Sequence, residues 1–236
     1  MTREDDERSL RRELRRIQRK KQERVRQLLL MTMFGCVFLI VAAAAIVLIR
    51  TVFGEKPADP KEVAVPDWVA ADYLTPNPYS RPQKPLTEVK GIVVHYVANP
   101  CSTARENRNF FEGLKNQTGN EPDVKSVSSH FVIGLEGEVV QCIPIDEVAY
   151  ASNHRNSDTI SIECCHPDIS GKFYDSTYES LVRLCAYFCH EFGLKPDAVI
   201  RHYDVVGKSC PKYFVDHPEE WEAFREDVKK AMKEQY

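Results

Sequence analysis

Two residues of types that bind zinc, His202 and Cys210, lie eight positions apart in the segment RHYDVVGKSCP, residues 201–211. Imidazole nitrogen and thiolate sulfur are both zinc ligands, and a catalytic zinc takes three protein ligands plus a water. Lys208 lies two residues before the cysteine. The His–Cys spacing alone is a weak signal, because most such pairs are structural. A third ligand has to come from elsewhere in the chain.

The best candidate for that third ligand is His95, in the segment GIVVHYV at residues 91–97. Apolar residues run directly into this histidine, which is typical of a buried strand that ends at a site. His95, His202 and Cys210 therefore form a candidate metal-ligand set.

A carboxylate with possible catalytic use is Glu163, in the apolar segment TISIECC at residues 159–165. Burial in a strand raises the pKa of a carboxyl group, and a carboxylate can act as a general base. The alternative interpretation is a structural carboxylate paired with a cation. Spacing alone leaves both open.

These residue types suit hydrolysis of an unactivated amide, which needs an activated water, a base and positive charge facing the oxyanion. Zinc lowers the pKa of a bound water and polarises a carbonyl. Lys208 can supply charge where the tetrahedral intermediate forms, because it lies close to Cys210 in sequence.

The elements that would position these residues alternate between strands and helices, which predicts an α/β fold with a mixed central sheet flanked by helices. Thr103 with Glu106, and Ser176 with Glu179, fit capping boxes at helix starts. In the first helix, Phe110, Phe111 and Leu114 are expected to face inward. The predicted strands are 91–97, 130–133, 138–143, 159–165 and 198–203, and the predicted helices are 104–115, 177–192 and 218–234. The segment LEG at 135–137 predicts a hairpin between the second and third of these strands. The helix at 177–192 has one apolar stripe and is expected to stop at Gly193.

The N-terminal region differs in charge from the rest of a chain whose net charge is −3 over 236 residues. Residues 1–27 contain eleven Lys/Arg and six Asp/Glu, a local net of +5. Such a run is either a solvated, partly helical tail or a cytoplasmic segment that flanks a membrane helix. We expect no nucleic-acid partner.

The following 22 residues, Leu28–Ile49, carry no charge, and about 20 apolar residues span a bilayer. A cleaved signal peptide is disfavoured, because the region before the run is long, the run exceeds the usual length and Arg50 follows it with no small-x-small site at the exit. The basic flank places the N-terminus in the cytoplasm. We therefore predict a cell membrane protein with a basic cytoplasmic segment at 1–27, a signal-anchor helix at 28–50, a proline-containing linker at 51–66 and an extracytoplasmic domain at 67–236. The linker is expected to be a semi-extended spacer that makes few core contacts.

Eight cysteines raise the possibility of disulfides in an exported domain. Four of them lie within apolar elements, where cysteine behaves as a small hydrophobic residue. These are Cys164, Cys165, Cys185 and Cys189. Only Cys101 and Cys142 look close to loops, and no pairing can be assigned from spacing.

From residue 67 to residue 230 the chain resembles the zinc-dependent N-acetylmuramoyl-L-alanine amidases, the amidase-2 or peptidoglycan-recognition-protein family. Five motifs occur in the family's order: VVH at 93–95, HFVI at 130–133, the GEVVQ turn at 137–141, N-S…SIE at 156–163 and H-x-D…GK-x-CP at 202–211. Each motif is weak alone, but five in order are specific.

The resemblance implies that His95, His202 and Cys210 bind Zn²⁺ and that Glu163 and Lys208 are the catalytic groups. It implies cleavage of the amide between N-acetylmuramic acid and the L-alanine of the stem peptide by zinc-activated water, with peptidoglycan as substrate and the bilayer as the partner of the N-terminal helix. The domain at 67–236 is then a zinc amidase catalytic domain that faces the cell wall. Asp204 is expected to cap or orient its loop.

The sequence departs from the family at two places. Ser129 stands where many members have a tyrosine, so the base function falls on Glu163. The family's Trp-His-Ala-Gly stretch is replaced by YASN at residues 150–153. Tyr150 takes the tryptophan's place, and Tyr150, Asn153 and His154 are candidate substrate-groove residues. His130 is expected to be a packed histidine rather than a ligand.

Two alternative functions differ in class from an amidase. A non-catalytic peptidoglycan-binding module of the same fold typically lacks the cysteine ligand, which is present here as Cys210. A glycosidase would use two facing carboxylates and no metal, and the candidate ligand set argues against it.

We predict an N-in, C-out topology for the full chain, because the basic residues precede the apolar run. A reporter that is active only outside the cytoplasm should be active when fused after Tyr236. Activity confined to a cytoplasm-specific reporter at the same position would contradict this topology.

Overall fold

A mixed sheet of six strands lies at the centre of the fold, in a computed structural model that describes residues 3–53 and 58–236. The strand order is β1-β4-β3-β5-β2-β6. Only β3 and β4 pair antiparallel, and the other neighbours are parallel. The predicted α/β class with a mixed sheet is confirmed. The strands are β1 (Val69–Ala71), β2 (Gly91–Tyr96), β3 (Phe131–Ile133), β4 (Val139–Gln141), β5 (Thr159–Cys164) and β6 (Val199–Arg201).

Helices cover both faces of this sheet, as expected for parallel strands that are apolar on both sides. Along each strand successive side chains point to opposite faces. In β2, Ile92 and Val94 join the larger core cluster, which includes Leu181 and Phe224. A smaller cluster contains Val132 of β3. The helices are α1 (Arg3–Phe53), α2 (Ala104–Gly113), α3 (Asp175–Glu191), α4 (His202–Val206), α5 (Lys212–Asp216) and α6 (Pro218–Gln235).

The predicted capping box at the start of α2 is confirmed. The Thr103 hydroxyl accepts from the Glu106 N–H at 3.2 Å, and the Glu106 carboxylate accepts from the Thr103 N–H at 2.8 Å. Phe111 and Leu114 are buried as expected. The prediction for Phe110 is wrong, since its side chain is 51 % exposed. The α-helix ends at Gly113, two residues before the predicted end, and a 3-10 turn follows at Leu114–Asn116.

The predicted capping box at the start of α3 is wrong. The helix begins at Asp175, and both hydroxyls donate to carbonyls of the β3–β4 turn: Ser176 to Leu135 at 2.7 Å and Thr177 to Gly134 at 2.8 Å. The local sequence predicted that these hydroxyl groups cap the start of the helix, but in the folded chain they donate to the turn instead. The helix's apolar stripe and its termination near Gly193 (φ +63°) are confirmed.

The predicted β3–β4 hairpin is confirmed, with register pairs running from Phe131↔Gln141 to Ile133↔Val139. Its turn requires Gly137, which has φ +84° and whose missing Cβ would lie 2.7 Å from the Ser176 carbonyl oxygen. Glycine alone fits this close approach between turn and helix.

All eight cysteines are free, so the structure contains no disulfide. Cys164, Cys165, Cys185 and Cys189 are each 0 % exposed, which confirms their expected use as small hydrophobic residues. Their burial raises the pKa of each thiol. Cys101 is exposed, whereas Cys142 is buried just after β4.

The N-terminal helix α1 runs continuously from Arg3 to Phe53. Within it, the 28 residues Arg19–Ile46 are enough to cross a membrane by length and composition. The most apolar part of this stretch is not buried against any other described residue. The chain divides into two compact units, Met1–Lys56 and Pro57–Tyr236. The predicted linker at 51–66 overlaps α1 at residues 51–53, and its residues 54–57 lie outside the described part of the chain.

The expectation that the proline-containing spacer makes few core contacts is wrong for residues 58–66. Val63 and Val65 pack against the larger core cluster, and Pro60 is buried. The Ala64 carbonyl accepts a hydrogen bond of 2.8 Å from the Tyr187 hydroxyl. This segment therefore belongs to the folded domain, because its apolar side chains complete the surface of α3.

We predict that removal of residues 1–57 leaves the free energy of unfolding of the domain nearly unchanged, whereas removal of residues 1–66 lowers this free energy. The longer deletion uncovers core surface equivalent to one or two aliphatic side chains, roughly 2–3 kcal/mol. Equilibrium urea unfolding of both truncated forms measures the difference. Equal unfolding midpoints would contradict the assigned packing of residues 58–66.

Candidate active site

The register of the two central strands places His95 beside Glu163. In the parallel pair β2–β5, His95 lies opposite Glu163, one residue before the end of each strand. The His95 Nδ1 atom lies 4.0 Å from Glu163 Oε1. Both residues thus stand at the carboxyl edge of the sheet, where ligand sites of open α/β sheets lie.

His202 reaches the same edge from the neighbouring strand β6. The pair Val94↔Arg201 aligns the two strands, so His202 follows at the level of His95. The predicted strand to residue 203 is too long, since α4 begins at His202. The Asp204 carboxylate accepts from the Arg201 N–H at 2.8 Å, which confirms its expected role in capping this turn.

Cys210 returns to the site because the loop after α4 folds back on the start of that helix. The Tyr203 N–H donates to the Cys210 carbonyl at 2.8 Å, and Gly207 ends α4 with φ +73°. Cys210 Sγ then lies 3.8 Å from His95 Nδ1. Ligand atoms of Cys210, His95 and His202 all lie within 4.8 Å of one another, in a buried cluster.

Each histidine has one ring nitrogen in contact with the loop before β5 and a second nitrogen left for the cluster. His95 Nε2 lies 3.2 Å from Ser152 Oγ, and His202 Nε2 lies 2.8 Å from Asn153 Oδ1. His202 Nδ1 is buried without a hydrogen-bond partner among the described residues. Its lone pair is therefore available to a cation.

Burial controls the protonation of the cluster. It lowers the pKa of His95 well below the ordinary value, with smaller effects from His202 and Lys208 in the same direction. The pKa of His202 is lowered by burial and by Lys208. Both imidazoles are therefore neutral at pH 7, the form that binds metals. Burial and the nearby Glu163 raise the pKa of Cys210 to about 12, a shift that a bound cation would reverse.

Glu163 is also shifted by burial, which raises the pKa of its carboxyl to about 8, with Lys208 acting in the opposite direction. Its side chain is 14 % exposed, and Oε2 is buried with no hydrogen-bond partner in the described chain. A structural carboxylate paired with a cation would show such a partner. Lys208 itself is exposed.

The three predicted groove residues lie on or next to the loop at 150–157, which includes the 3-10 turn Asn153–Ser157. Tyr150 is half-buried, with Lys84 Nζ 5.5 Å from the centre of its ring. His154 is exposed. Asn153 has φ +54°, and its side-chain Oδ1 contacts His202 Nε2. Substrate binding by these three residues stays a prediction.

Ser129 and His130 belong to the interior rather than to the cluster. The Ser129 hydroxyl donates to the Ser161 carbonyl at 3.0 Å. His130 Nδ1 accepts from the Ser161 N–H at 3.0 Å, so its Nε2 donates to the Glu147 carbonyl at 2.8 Å. His130 is thus a satisfied packed histidine, as expected, and burial lowers its pKa to about 4.

Sequence reasoning missed Ser152 and Asn156. Asn156 Oδ1 accepts hydrogen bonds from the Ala151 and Ser152 N–H groups, and this holds the loop in place. The available signal for Ser152 was its position in YASN, where the family stretch has alanine. Its contact with His95 depends on a loop geometry that spacing does not reveal.

Comparison with known proteins identifies the family. The family model for N-acetylmuramoyl-L-alanine amidase, amidase-2, matches residues 85–213, more than half of the chain. All five residues of the predicted ligand and catalytic set lie within this range. The chain belongs to the amidase-2 family.

Curated relatives come from bacilli. The chain is 31 % identical over 172 residues to N-acetylmuramoyl-L-alanine amidase CwlL of Bacillus licheniformis, covering 68 % of this chain and 46 % of the relative. It is 29 % identical over 181 residues to N-acetylmuramoyl-L-alanine amidase BlyA of Bacillus subtilis, with the same coverage. The chain therefore spans about half the length of the curated relatives it matches.

Solved structures share the fold. The PlyG catalytic domain superimposes with a TM-score of 0.57 at 20 % identity, covering 70 % of this chain and 94 % of that domain. The catalytic domain of XlyA gives a TM-score of 0.54 at 21 % identity, with 68 % and 98 % covered. The fold is that of these amidase-2 domains.

Proposed function

We propose that this protein is a membrane-anchored, zinc-dependent N-acetylmuramoyl-L-alanine amidase, a hydrolase that releases the stem peptide from peptidoglycan. The observation that carries the proposal is the buried His95–His202–Cys210 cluster with Glu163 4.0 Å from its first histidine. A cell-wall substrate agrees with the family and with the curated relatives' printed activity.

The donor set fits zinc. Two imidazole nitrogens and one thiolate match the ligand types of this ion, and three protein ligands are the number found at catalytic rather than structural sites. The buried, unpartnered Nδ1 of His202 supports a cation at this place, because an orphaned buried acceptor otherwise costs free energy. When bound, zinc lowers the pKa of water and polarises the scissile carbonyl.

Glu163 carries the proton in the proposed reaction. Its carboxylate takes a proton from water as the water oxygen bonds to the carbonyl carbon of the lactyl–alanine amide. The same carboxyl then gives that proton to the alanine nitrogen as the carbon–nitrogen bond breaks. A pKa raised to about 8 by burial suits a group that accepts and returns a proton near neutral pH.

Lys208 places positive charge beside the reacting carbonyl. Its charge lowers the pKa values of His95, His202 and Glu163, and this direction supports the proposed role. Negative charge develops on the carbonyl oxygen only as the tetrahedral intermediate forms. A fixed cation therefore stabilises the transition state more than the substrate.

The N-terminal helix gives the proposed location. Its uncharged stretch Leu28–Ile49 is the proposed anchor and overlaps the candidate span at Arg19–Ile46, and the basic residues at 1–27 orient the amidase domain toward the cell wall. The bilayer and peptidoglycan are then the two partners of the chain. Tyr150, Asn153 and His154 are proposed to border the substrate groove.

We predict that the purified full chain binds one zinc ion and that Cys210→Ser, His95→Ala and His202→Ala each weaken this binding. Serine fails as a ligand because its hydroxyl stays protonated where a thiol ionises. Zinc content after dialysis measures the effect. Cys101→Ser is the matched control, since Cys101 is exposed and outside the cluster. One tightly held zinc in all three site variants would refute the assignment.

We predict that Glu163→Gln retains zinc and peptidoglycan binding but loses about 10²–10⁴-fold in rate, the usual contribution of a positioned general base. Glutamine keeps the volume of the side chain and removes its basicity. Lys208→Ala should also keep zinc, with its loss falling mainly on kcat. Lys195→Ala is the control for Lys208, because Lys195 is exposed and precedes β6, at the opposite edge of the sheet.

The measurement is mass spectrometry of muropeptides released from purified peptidoglycan, together with zinc content and wall binding of each variant. New amino groups on L-alanine identify an amidase, and new reducing ends identify a glycosidase. Wall binding without either product would identify a binding module. If Glu163→Gln cleaves at nearly the parental rate, Glu163 is structural.

A further inference from the structure

The loop at 150–157 contacts both histidines of the cluster on the nitrogen that the cluster does not use. Ser152 Oγ lies 3.2 Å from His95 Nε2, and Asn153 Oδ1 lies 2.8 Å from His202 Nε2. His95 Nδ1 faces Cys210 Sγ at 3.8 Å. One loop therefore contacts the Nε2 atom of both imidazole rings.

These contacts determine which nitrogen carries the proton. An amide oxygen only accepts hydrogen bonds, so the proton of neutral His202 sits on Nε2 and the lone pair on the buried Nδ1. The Ser152 hydroxyl accepts from His95 Nε2–H in the same way when His95 Nδ1 is a ligand. Hydrogen bonds of this kind fix the tautomer and ring orientation of metal-binding histidines.

The loop is itself held firmly enough to position the rings. Asn156 Oδ1 accepts from the N–H groups of Ala151 and Ser152. The Tyr150 N–H donates to Ser128 Oγ, and the Tyr150 carbonyl accepts from the Ser128 N–H, both at 3.0 Å. Ser152 is 1 % exposed, so water does not compete for its hydroxyl.

We infer that Ser152 and Asn153 are positioning residues for the metal site, each orienting one ligand histidine. The inference rests on the proposed function, since it assumes that His95 and His202 bind the metal. The family stretch that this loop resembles has alanine and glycine at the two positions. In this chain both are polar, and the φ of +54° at Asn153 retains the backbone conformation that favours glycine.

The test compares zinc affinity among single variants of the full chain in detergent, by competition with a chelator of known affinity. Ser152→Ala and Asn153→Gly should each weaken zinc binding by about 10- to 100-fold, the usual effect of losing such a contact. Glycine suits the left-handed backbone, so Asn153→Gly removes the amide without strain. Asn153→Asp keeps an acceptor and should bind zinc at least as tightly as the parent.

Two controls separate positioning from general stability. Ser157→Ala lies in the same turn and its side chain is exposed, so its zinc affinity should equal that of the parent. The melting temperature of each metal-free variant should stay close to that of the metal-free parent. The inference is overturned if Ser152→Ala and Asn153→Gly both bind zinc within twofold of the parent's affinity. It is also overturned if Ser157→Ala or Asn153→Asp loses as much zinc affinity as those two variants. A parent without zinc would instead overturn the proposed metal site itself.

Discussion

The register of three parallel strands is the constraint on which the site depends. His95 and Glu163 are register partners on β2 and β5, and β6 brings His202 to the same level. Since side chains alternate between the two faces of a sheet, a slip of one residue would send His95 into the apolar core. The core residues therefore fix the site, because burying Ile92 and Val94 on one face requires the register that aligns His95, Glu163 and His202.

That alignment encloses titratable groups in a small volume, which determines their electrostatics. Burial favours neutral imidazoles, a protonated thiol and a protonated carboxyl. A divalent cation changes this balance by stabilising the thiolate of Cys210 and the carboxylate of Glu163. Lys208, which is exposed, contributes a weaker charge. The folded chain thus encloses a cluster whose neutral groups are favoured by desolvation and whose proposed metal ion would reverse that preference.

The sequence predicted five of the six strands, the antiparallel hairpin and the apolar stripe of α3, because hydrophobic period and chain order decide these features. It failed where distant segments compete for the same groups. Ser176 does not cap α3, since its hydroxyl donates to the Leu135 carbonyl in the β3–β4 turn. Residues 58–66 were predicted to be part of a spacer, yet Val63 and Val65 pack against the larger core cluster. Ser152 was overlooked because its partner is 57 residues away.

The site divides its tasks between strands and loops, and this division explains how the chain departs from its family without losing the ligand set. His95, Glu163 and His202 are fixed by the sheet, so their positions tolerate little change. The residues at 150–153 lie on a loop anchored through Asn156 and Ser128, and can vary while the strands stay in register. Replacing Trp-His-Ala-Gly with YASN therefore alters what surrounds the histidines rather than where they stand.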